Sequence, residues 1–315
     1  MEVLPNHPLI KLTMEDIKST REFYDVNDVK RINESLDVIQ EWLKKQEHLV
    51  EASRFMDRNY LERVFILARG SIEGTKTKLD KMFTSRGLMP ELCLQKSVKE
   101  FEKLWECVNY VPLPKLHPTD HSRVMVTQFL TDKLDDFTLL SYFRYCFMIG
   151  EYRLHYDYSL SERYIIDLTN LSQMTVLTKI NPIVIKKSEV LCSEGYGTKI
   201  KGIHLLNAPP FVDKLVSLLK QALKPKVASR LHVHSTYEDL HQHVPKEILP
   251  KEYGGDETSC DRLSAQWKEV LRTEEATKLI SEADKLISDE SKRQASTFNQ
   301  EYLGMPGSFR KLTVD

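Results

Sequence analysis

The sequence predicts an α/β fold, a mostly parallel sheet with flanking helices, preceded by an all-helical N-terminal subdomain. In the first 110 residues, apolar positions recur at three- and four-residue spacing, which is typical of amphipathic helices. Beyond them, short segments rich in Ile, Val and Leu alternate with helical stretches, the pattern of a parallel sheet. With 41% hydrophobic and 29% charged residues over 315 positions, the chain has a globular composition and can enclose a cavity.

The N-terminal helices are predicted from two apolar stripes. These are Val29, Ile32, Leu36, Ile39 and Leu43 in the first, and Val98, Phe101, Leu104, Trp105 and Val108 in the second. The segment 111–118, VPLPKLHP, follows the second stripe and contains three prolines. Because proline disrupts a helix interior, we expect a loop and a domain boundary there.

Strands and helices then alternate. We predict strands at 123–130, 163–168, 202–206 and 230–234, separated by helices at about 137–155, 174–193 and 210–223. After Gly254-Gly255 the apolar spacing predicts helices again, and residues 304–315 are expected to form an extended tail. The predicted division is a helical subdomain at 1–110, an α/β domain at 111–257, and C-terminal helices with a tail at 258–315.

The cysteines and the N-terminus indicate a cytoplasmic protein. The five cysteines are an odd number and include no C-x-x-C pair, so neither a disulfide framework nor a zinc site is expected. The N-terminal residues MEVLPNHPLI lack the basic and apolar regions of a signal peptide.

Several function classes are disfavoured. The sequence contains no G-x-G-x-x-G after a strand, no P-loop and no G-x-S-x-G, so we predict neither an enzyme nor a cofactor. A net charge of -1 argues against a nucleic-acid partner. His232 and His234 would share one face of a strand, but His241 and His243 fall in another element and no Cys or Glu completes a ligand set, so no metal is expected.

A basic, amphipathic segment spans residues 199–230. It contains seven Lys and Arg against Asp213 alone, a net charge of +6, so the remaining chain carries -7. Pro209-Pro210 opens a helix here, with an apolar stripe on one side and polar residues opposite. One interpretation is an ordinary core-facing helix with a solvated outer face. The other is a lid over an apolar cavity that meets anionic membranes through its basic flank.

Three stretches carry a family resemblance. The segments 163–171, 199–235 and 244–256 contain RYIIDLTNL, GIHLLN before the basic helix, and LPKEYGG. Together they resemble the CRAL-TRIO lipid-binding family, in particular its α-tocopherol transfer protein and cellular retinaldehyde-binding protein branch. The ending GSFRKLTVD is similar to the tail of insect members. The resemblance implies the CRAL-TRIO lipid-binding fold and an enclosed apolar pocket under a mobile helix.

The resemblance also implies which residues line that pocket. They lie on the first crossover helix, the two central strands, the segment after the second crossover helix, and the inner face of the lid: Phe143, Cys146, Phe147, Gly150, Ile166, Leu191, Cys192, Tyr196, Ile203, Leu205, Phe211, Val212, Leu215, Val216 and Leu219. For each of them, plain core packing is the alternative.

A basic cluster beside the lid engages phosphoinositide headgroups in the tocopherol-transfer branch. The matching positions here are Arg69, Lys199, Lys201, Lys226 and Arg230, for which a solvated basic face is the alternative. The resemblance thus implies a monomeric cytoplasmic carrier that moves a tocopherol, retinoid, carotenoid or similar isoprenoid between membranes and docks transiently on phosphoinositide surfaces. A lipid-gated adaptor acting through a protein partner is the second hypothesis.

Overall fold

The computed structural model of the chain describes residues 4–293, and its centre is a five-stranded sheet. The strands are β1 (Val108–Leu116), β2 (Ser122–Phe129), β3 (Ser161–Asp167), β4 (Ile200–Leu206) and β5 (Leu231–Val233). They lie in the order β1-β2-β3-β4-β5, and only the β1–β2 pair among these strands is antiparallel. The predicted mostly parallel α/β fold is therefore confirmed.

Helices precede the sheet, as the apolar spacing predicted. They are α1 (Met14–Glu22), α2 (Val29–Lys44), α3 (Val50–Ser53), α4 (Arg58–Leu67), α5 (Ile72–Leu88), α6 (Pro90–Cys93) and α7 (Leu104–Cys107), with a 3₁₀ turn at Val98–Phe101. On α2 the predicted stripe is buried from Ile32 to Leu43, whereas Val29 at the first turn is exposed. These side chains form an apolar cluster with α4 and α5 that is separate from the main core around the sheet.

The crossover helices cover the sheet. They are α8 (Leu139–Arg153), α9 (Gln173–Lys179), α10 (Pro182–Val190), α11 (Val212–Ala222), α12 (Pro225–Ala228) and α13 (Tyr237–His241). One continuous helix at 174–193 was predicted, and this prediction is wrong. Pro182 begins α10 at its first turn with Asn181 as the N-cap, because proline lacks the N–H that a continuing helix needs. A π-helical turn, Leu191–Gly195, ends α10.

The loop predicted at 111–118 is also wrong for most of its length. Residues 108–116 form β1, although Pro112 and Pro114 lie in it. The sheet tolerates them because β1 is an edge strand, where a missing N–H breaks no ladder on the open side. The pairing with β2 is irregular between Pro112 and Leu116. The predicted domain division, for which residue 110 is the boundary, stays a prediction, and β1 runs across that position.

Two further helices follow the sheet, α14 (Cys260–Leu271) and α15 (Glu274–Ala283). Trp267 on α14 is fully buried, and its indole N–H donates a hydrogen bond to the Pro112 carbonyl at 3.2 Å. The C-terminal helices therefore pack on the open edge strand, which removes an exposed sheet edge. The predicted extended tail at 304–315 lies outside the described residues. Across residues 4–293, no helix combines the length and the apolarity that crossing a bilayer requires.

Candidate functional site

A cavity of about 250 Å³ lies between the inner face of the sheet and the helices α8, α10 and α11. A buried water needs only about 10–15 Å³ of such space, so the cavity has room for a multi-atom guest. Most of its lining is aliphatic or aromatic, with a few polar and charged groups. Such a lining is typical of small-molecule sites.

The strands present alternate residues to the cavity. On β3 these are Tyr164 and Ile166, and on β4 they are Ile203 and Leu205, because successive side chains point to opposite faces. The pairing of β3 with β4 is irregular after Glu162, because no residue of β3 stands in register with Lys201. This irregularity lets Ile200 reach the cavity as well, which strict alternation along β4 does not predict.

On α8, the cavity residues recur at helical spacing. Phe143, Cys146, Phe147 and Gly150 all line it, as predicted. A Cβ atom built on Gly150 meets no heavy atom within 4 Å apart from its own neighbours, because this glycine faces open space. Burial raises the pKa of the Cys146 thiol, so this cysteine stays a neutral, weakly polar group in the wall.

The helix α11 covers the cavity with a narrow stripe. Leu215 and Leu219 line the cavity, and Leu223 just beyond the helix does so too. Phe211, Val212 and Val216, which were also predicted to line it, are half-buried and pack against the core beside the cavity instead. Residues four apart share a helix face, so Leu215 and Leu219 lie on one face, and Val212 and Val216 lie together on a face rotated from it by about 60–100°. Leu191, also predicted, is buried in a small adjoining cluster with Val190.

Charged networks close the α8 side of the cavity. Glu151 accepts hydrogen bonds from Arg86 and Tyr196, and Lys96 lies 3.0 Å from its other oxygen. Burial acts to raise the pKa of Glu151, but Arg86 and Lys96 outweigh it, so the pKa is lowered and the carboxylate stays charged. Arg86 also donates to the Leu286 carbonyl at 2.8 Å, which ties the segment after α15 to this wall.

A second network surrounds Asp157. Arg123 and Arg153 both donate to its carboxylate, at 2.6 and 2.8 Å for the shortest contact of each. Arg153 reaches Glu162 as well, at 3.1 Å. Burial acts to raise the pKa of Asp157, but the two guanidinium groups lower it well below its usual range.

Basic side chains gather at the edge of the sheet where β4 begins. Lys199 donates to the Tyr24 hydroxyl at 2.6 Å, and the guanidinium of Arg69 lies 5.7 Å from the centre of the same ring. Arg230 donates to the Ile200 carbonyl, and Lys201 lies 3.8 Å from Asp120. Lys226 is exposed on α12, one turn before Arg230. The predicted basic cluster, distant in sequence, thus surrounds one end of β4.

Four histidines stack on the opposite face of the sheet. His204 on β4 pairs in register with His232 on β5, and its Nδ1 lies 2.9 Å from Nε2 of His234. The ring of His243 is 4.8 Å from that of His232, so the structure unites residues that the sequence placed in different elements. His241 instead contacts the Tyr253 carbonyl. Within residues 4–293, no group of three or more His, Cys, Asp or Glu has the arrangement of a metal site.

Of the fifteen predicted pocket residues, eleven line the cavity, and four do not: Leu191, Phe211, Val212 and Val216. Sequence reasoning missed the contributions of the N-terminal helices and of the polar groups. These are Val64, Leu67, Lys78 and Met82 from α4 and α5, and Tyr110, Glu151, Arg153, Asp157, Glu162 and Tyr164 near the sheet. Amphipathic spacing marks such positions as buried but does not say whether a neighbour fills the space beside them.

The part of the chain that encloses the cavity matches a known domain. Residues 116–255, which include β2 to β5 and α8 to α13, match the family model described as the CRAL/TRIO domain. Residues 116–255 form a CRAL/TRIO domain. The resemblance seen in RYIIDLTNL, GIHLLN and LPKEYGG is thereby confirmed.

Curated proteins also match this chain over part of its length. It is 36% identical over 95 residues to "Alpha-tocopherol transfer protein-like" of Mus musculus, covering 30% of this chain and 27% of that protein. It is 32% identical over 92 residues to "Clavesin-1" of Rattus norvegicus, covering 29% of this chain and 26% of the other. The matches thus span about a quarter of the length of these relatives.

A solved structure titled "Crystal structure of Sfh5" aligns with 84% of this chain and all of its own, at 14% identity and a TM-score of 0.49.

Proposed function

We propose that this protein binds one small hydrophobic molecule in the cavity and carries it between membranes. The ligand class is a tocopherol, retinoid, carotenoid or similar isoprenoid. The observation that carries the proposal is the apolar cavity of about 250 Å³ beneath an amphipathic helix inside a CRAL/TRIO domain. Enclosure removes an apolar ligand from water at about 25 cal/mol per Å² of apolar area. The protein is a carrier in this proposal and not a catalyst.

In this proposal α11 is the lid. It follows β4 through a turn at residues 207–210 and ends before Pro225, so both of its ends are connections of a few residues. Its inner face holds Leu215 and Leu219, and its outer face exposes polar residues such as Lys214 and Lys220. Outward movement of α11 would open the cavity, and its outer lysines would meet an anionic surface.

The basic cluster around the start of β4 is the proposed docking site for phosphoinositide membranes. Arg69, Lys199, Lys201, Lys226 and Arg230 surround this end of the strand, next to the connection from α11. Each basic residue near an anionic surface adds on the order of 1 kcal/mol of attraction. The cluster places that attraction beside the lid, so docking and opening would be coupled.

Solvent extraction and a vesicle transfer assay test the carrier proposal. The purified protein is extracted with organic solvent and analysed by mass spectrometry, and its transfer of a fluorescent tocopherol analogue between two vesicle populations is followed by energy transfer. We expect a co-purified hydrophobic molecule and protein-dependent transfer without any partner protein. A protein that holds no lipid and takes up no hydrophobic probe would contradict the proposal.

The docking site has its own test. Lys226→Ala/Arg230→Ala is compared with Lys30→Ala/Lys278→Ala, which removes the same charge from exposed positions on α2 and α15. We expect weaker binding to phosphoinositide vesicles and slower transfer for the first pair only, with both proteins equally folded by circular dichroism. Equal binding by both pairs would remove Lys226 and Arg230 from the docking site.

A further inference from the structure

The acidic groups that line the cavity are paired with cations. Glu151 contacts Arg86 and Lys96, Glu162 contacts Arg153 at 3.1 Å, and Asp157 contacts Arg123 and Arg153. On α10, Glu189 also lines the cavity, and Lys224 lies 4.0 Å from one of its oxygens, which has no hydrogen-bond partner among the described residues. The carboxylates of Glu151, Asp157 and Glu162 therefore offer no unpaired negative charge that would draw a cationic ligand.

Two amines in the lining lack such a partner. Lys78 on α5 is partly buried, and its Nζ makes one long contact, 3.4 Å, with the Gly197 carbonyl. Lys199 donates to the Tyr24 hydroxyl and lies 4.6 Å from the centre of that ring. Among residues 4–293, neither amine forms an ion pair with a carboxylate. Burial, and then Lys199 and Lys81, lower the pKa of Lys78 to about 8, as expected for an ammonium without a counterion.

An unpartnered hydroxyl lies at the same edge. Ser161 begins β3 and is 4% exposed, and its Oγ has no hydrogen-bond partner among the described residues although it lines the cavity. The Glu162 amide donates to the Lys199 carbonyl at 2.9 Å, so Ser161, at the start of β3, lies beside Lys199, the residue that precedes β4. Buried polar groups are nearly always bonded, and an orphan in a cavity wall indicates an absent partner. Lys78, Lys199 and Ser161 together form what we name the amine edge.

The opposite end of the cavity is apolar. It lies at the carboxyl ends of the strands and is lined by Phe129, Leu168, Leu171 and Ile185. The cavity therefore has a polar, positively charged end and a hydrocarbon end, with Ile166, Ile203 and Leu205 between them.

We propose that the amine edge is a head-group subsite and that the natural ligand is an amphiphile with an anionic head, a carboxylate or a phosphate monoester, whose hydrocarbon tail runs along β3 and β4. The ammonium groups of Lys78 and Lys199 pair with the head, and the Ser161 hydroxyl donates to it. This proposal rests on the proposed carrier function and, within the isoprenoid class given there, favours molecules with an acidic or phosphorylated head over neutral tocopherols and carotenoids.

Three probes with one hydrocarbon chain test the subsite: oleate, oleyl phosphate and oleyl alcohol. Each displaces the neutral dye Nile red from the full-length protein, and displacement gives the affinity. We expect wild type to bind at least one anion tenfold or more tightly than oleyl alcohol, since a hydrogen bond to a charged group contributes more than a neutral one. The stronger of the two anions identifies the head as carboxylate or phosphate.

Lys78→Met keeps an unbranched side chain that is one atom shorter and removes its charge. It should weaken binding of the preferred anion at least tenfold and leave oleyl alcohol within twofold. Lys76→Met is the matched control, because Lys76 lies two residues away on α5, pairs with Glu73 and is outside the cavity lining. If Lys78→Met does not fold, Lys199→Met and the anion-to-alcohol ratio of wild type still decide the question.

Equal affinity of wild type for all three probes would overturn the head-group subsite while leaving the carrier proposal intact. An equal loss of anion and alcohol binding in Lys78→Met would also overturn it, because that pattern indicates a structural role for Lys78. Failure of wild type to bind Nile red or any of the three probes would overturn the carrier proposal itself.

Discussion

The two helices that cover the cavity, α8 and α11, are held in different ways. The N-terminus of α8 is capped by Thr138, and Arg144, Glu151 and Arg153 of this helix join ion pairs. By contrast, α11 has no side-chain cap at its N-terminus. Its stripe makes apolar contacts, and Lys224 just beyond its C-terminus contacts Glu194 at 2.5 Å.

This difference in contacts indicates which side of the cavity can move. Buried ion pairs and hydrogen bonds are directional, so moving α8 would leave charges unpaired in the interior. Apolar contacts are non-directional, and an outward movement of α11 would expose Leu215 and Leu219 without breaking an ion pair in which both partners are buried. We therefore infer that α8 is the fixed wall and that opening occurs at α11.

The largest expected effect on stability comes from disrupting the charged network of the α8 wall. Glu151→Gln leaves Arg86 and Lys96 buried without their counterion, and removing one partner of a buried ion pair typically costs about 3–5 kcal/mol. Urea denaturation should show that loss in the free energy of unfolding. Glu41→Gln is the control, because the Glu41–Lys44 pair is exposed and its loss should change little. Similar stability for both variants would contradict a charged, rigid wall.

The next largest effect concerns pH, which should destabilise the α11 side of the cavity before the α8 side. Burial, and then His234 and His243, lower the pKa of His204 on β4 to about 2, whereas the unfolded value is about 6.5. The unfolded chain thus binds more protons below pH 6.5, and stability falls as the pH drops through that range. At pH 5 one such histidine accounts for about 2 kcal/mol.

The carboxylates of the wall respond at a lower pH. The folded pKa of Asp157 is lowered, so the stability it contributes is lost only below its unfolded value of about 3.9. Hydrogen exchange at pH 7 and pH 5 should therefore show loss of protection first in β4, α11 and β5, with α8 still protected. His204→Phe should reduce the slope of unfolding free energy against pH. An unchanged slope would exclude the histidine stack as its source.

A smaller effect tests the open space beside α8. Gly150→Ala removes a glycine from a helix interior and should stabilise the protein by up to about 1 kcal/mol, since the new methyl group meets no neighbour. Gly150→Leu should instead fill the cavity and reduce uptake of a hydrophobic probe. Gly87 on α5 is also open but lies outside the lining, so Gly87→Leu should leave uptake unchanged. Equal uptake by the two leucine variants would argue against the cavity as the binding site.

The smallest effect on stability concerns the lid. Lys224→Met removes the contacts of Lys224 with Glu194 and Ser193, and because Lys224 is 40% exposed the cost should stay below about 1 kcal/mol. Ligand release, followed by stopped-flow loss of probe fluorescence, should nevertheless become faster. Lys187→Met is the control, because Lys187 on α10 pairs with Glu91 and is similarly exposed. The inference of opening at α11 would fail if release were equally fast in both variants.

The element pattern was largely predictable, and the cavity was not. Periodicity found α2, α8, α11 and the four parallel strands because it reflects which face each element buries. It missed β1, since three prolines at 111–118 disfavour a strand except at a sheet edge, and edge position is a tertiary property. It also joined α9 and α10, although Pro182 lies between them.

The local sequence pattern was also insufficient to predict which residues line the cavity. An apolar stripe on α11 is visible in the sequence, but Leu215 and Leu219 face the cavity while Val212 and Val216 face packed side chains. Both pairs are aliphatic and four residues apart. Only the presence or absence of a neighbour across the interface distinguishes a pocket wall from a core.

The sequence alone is enough to predict the α/β fold class, the family resemblance of 163–256 and the basic character of residues 199–230. Each of these depends only on local residue order and composition. Only the folded chain shows that Lys78 from α5 meets Lys199 and Ser161 beside one cavity. It also shows that the ion pairs of the lining leave those amines without a carboxylate. Such a juxtaposition depends on how distant segments fold together, and local sequence does not encode the distance between them.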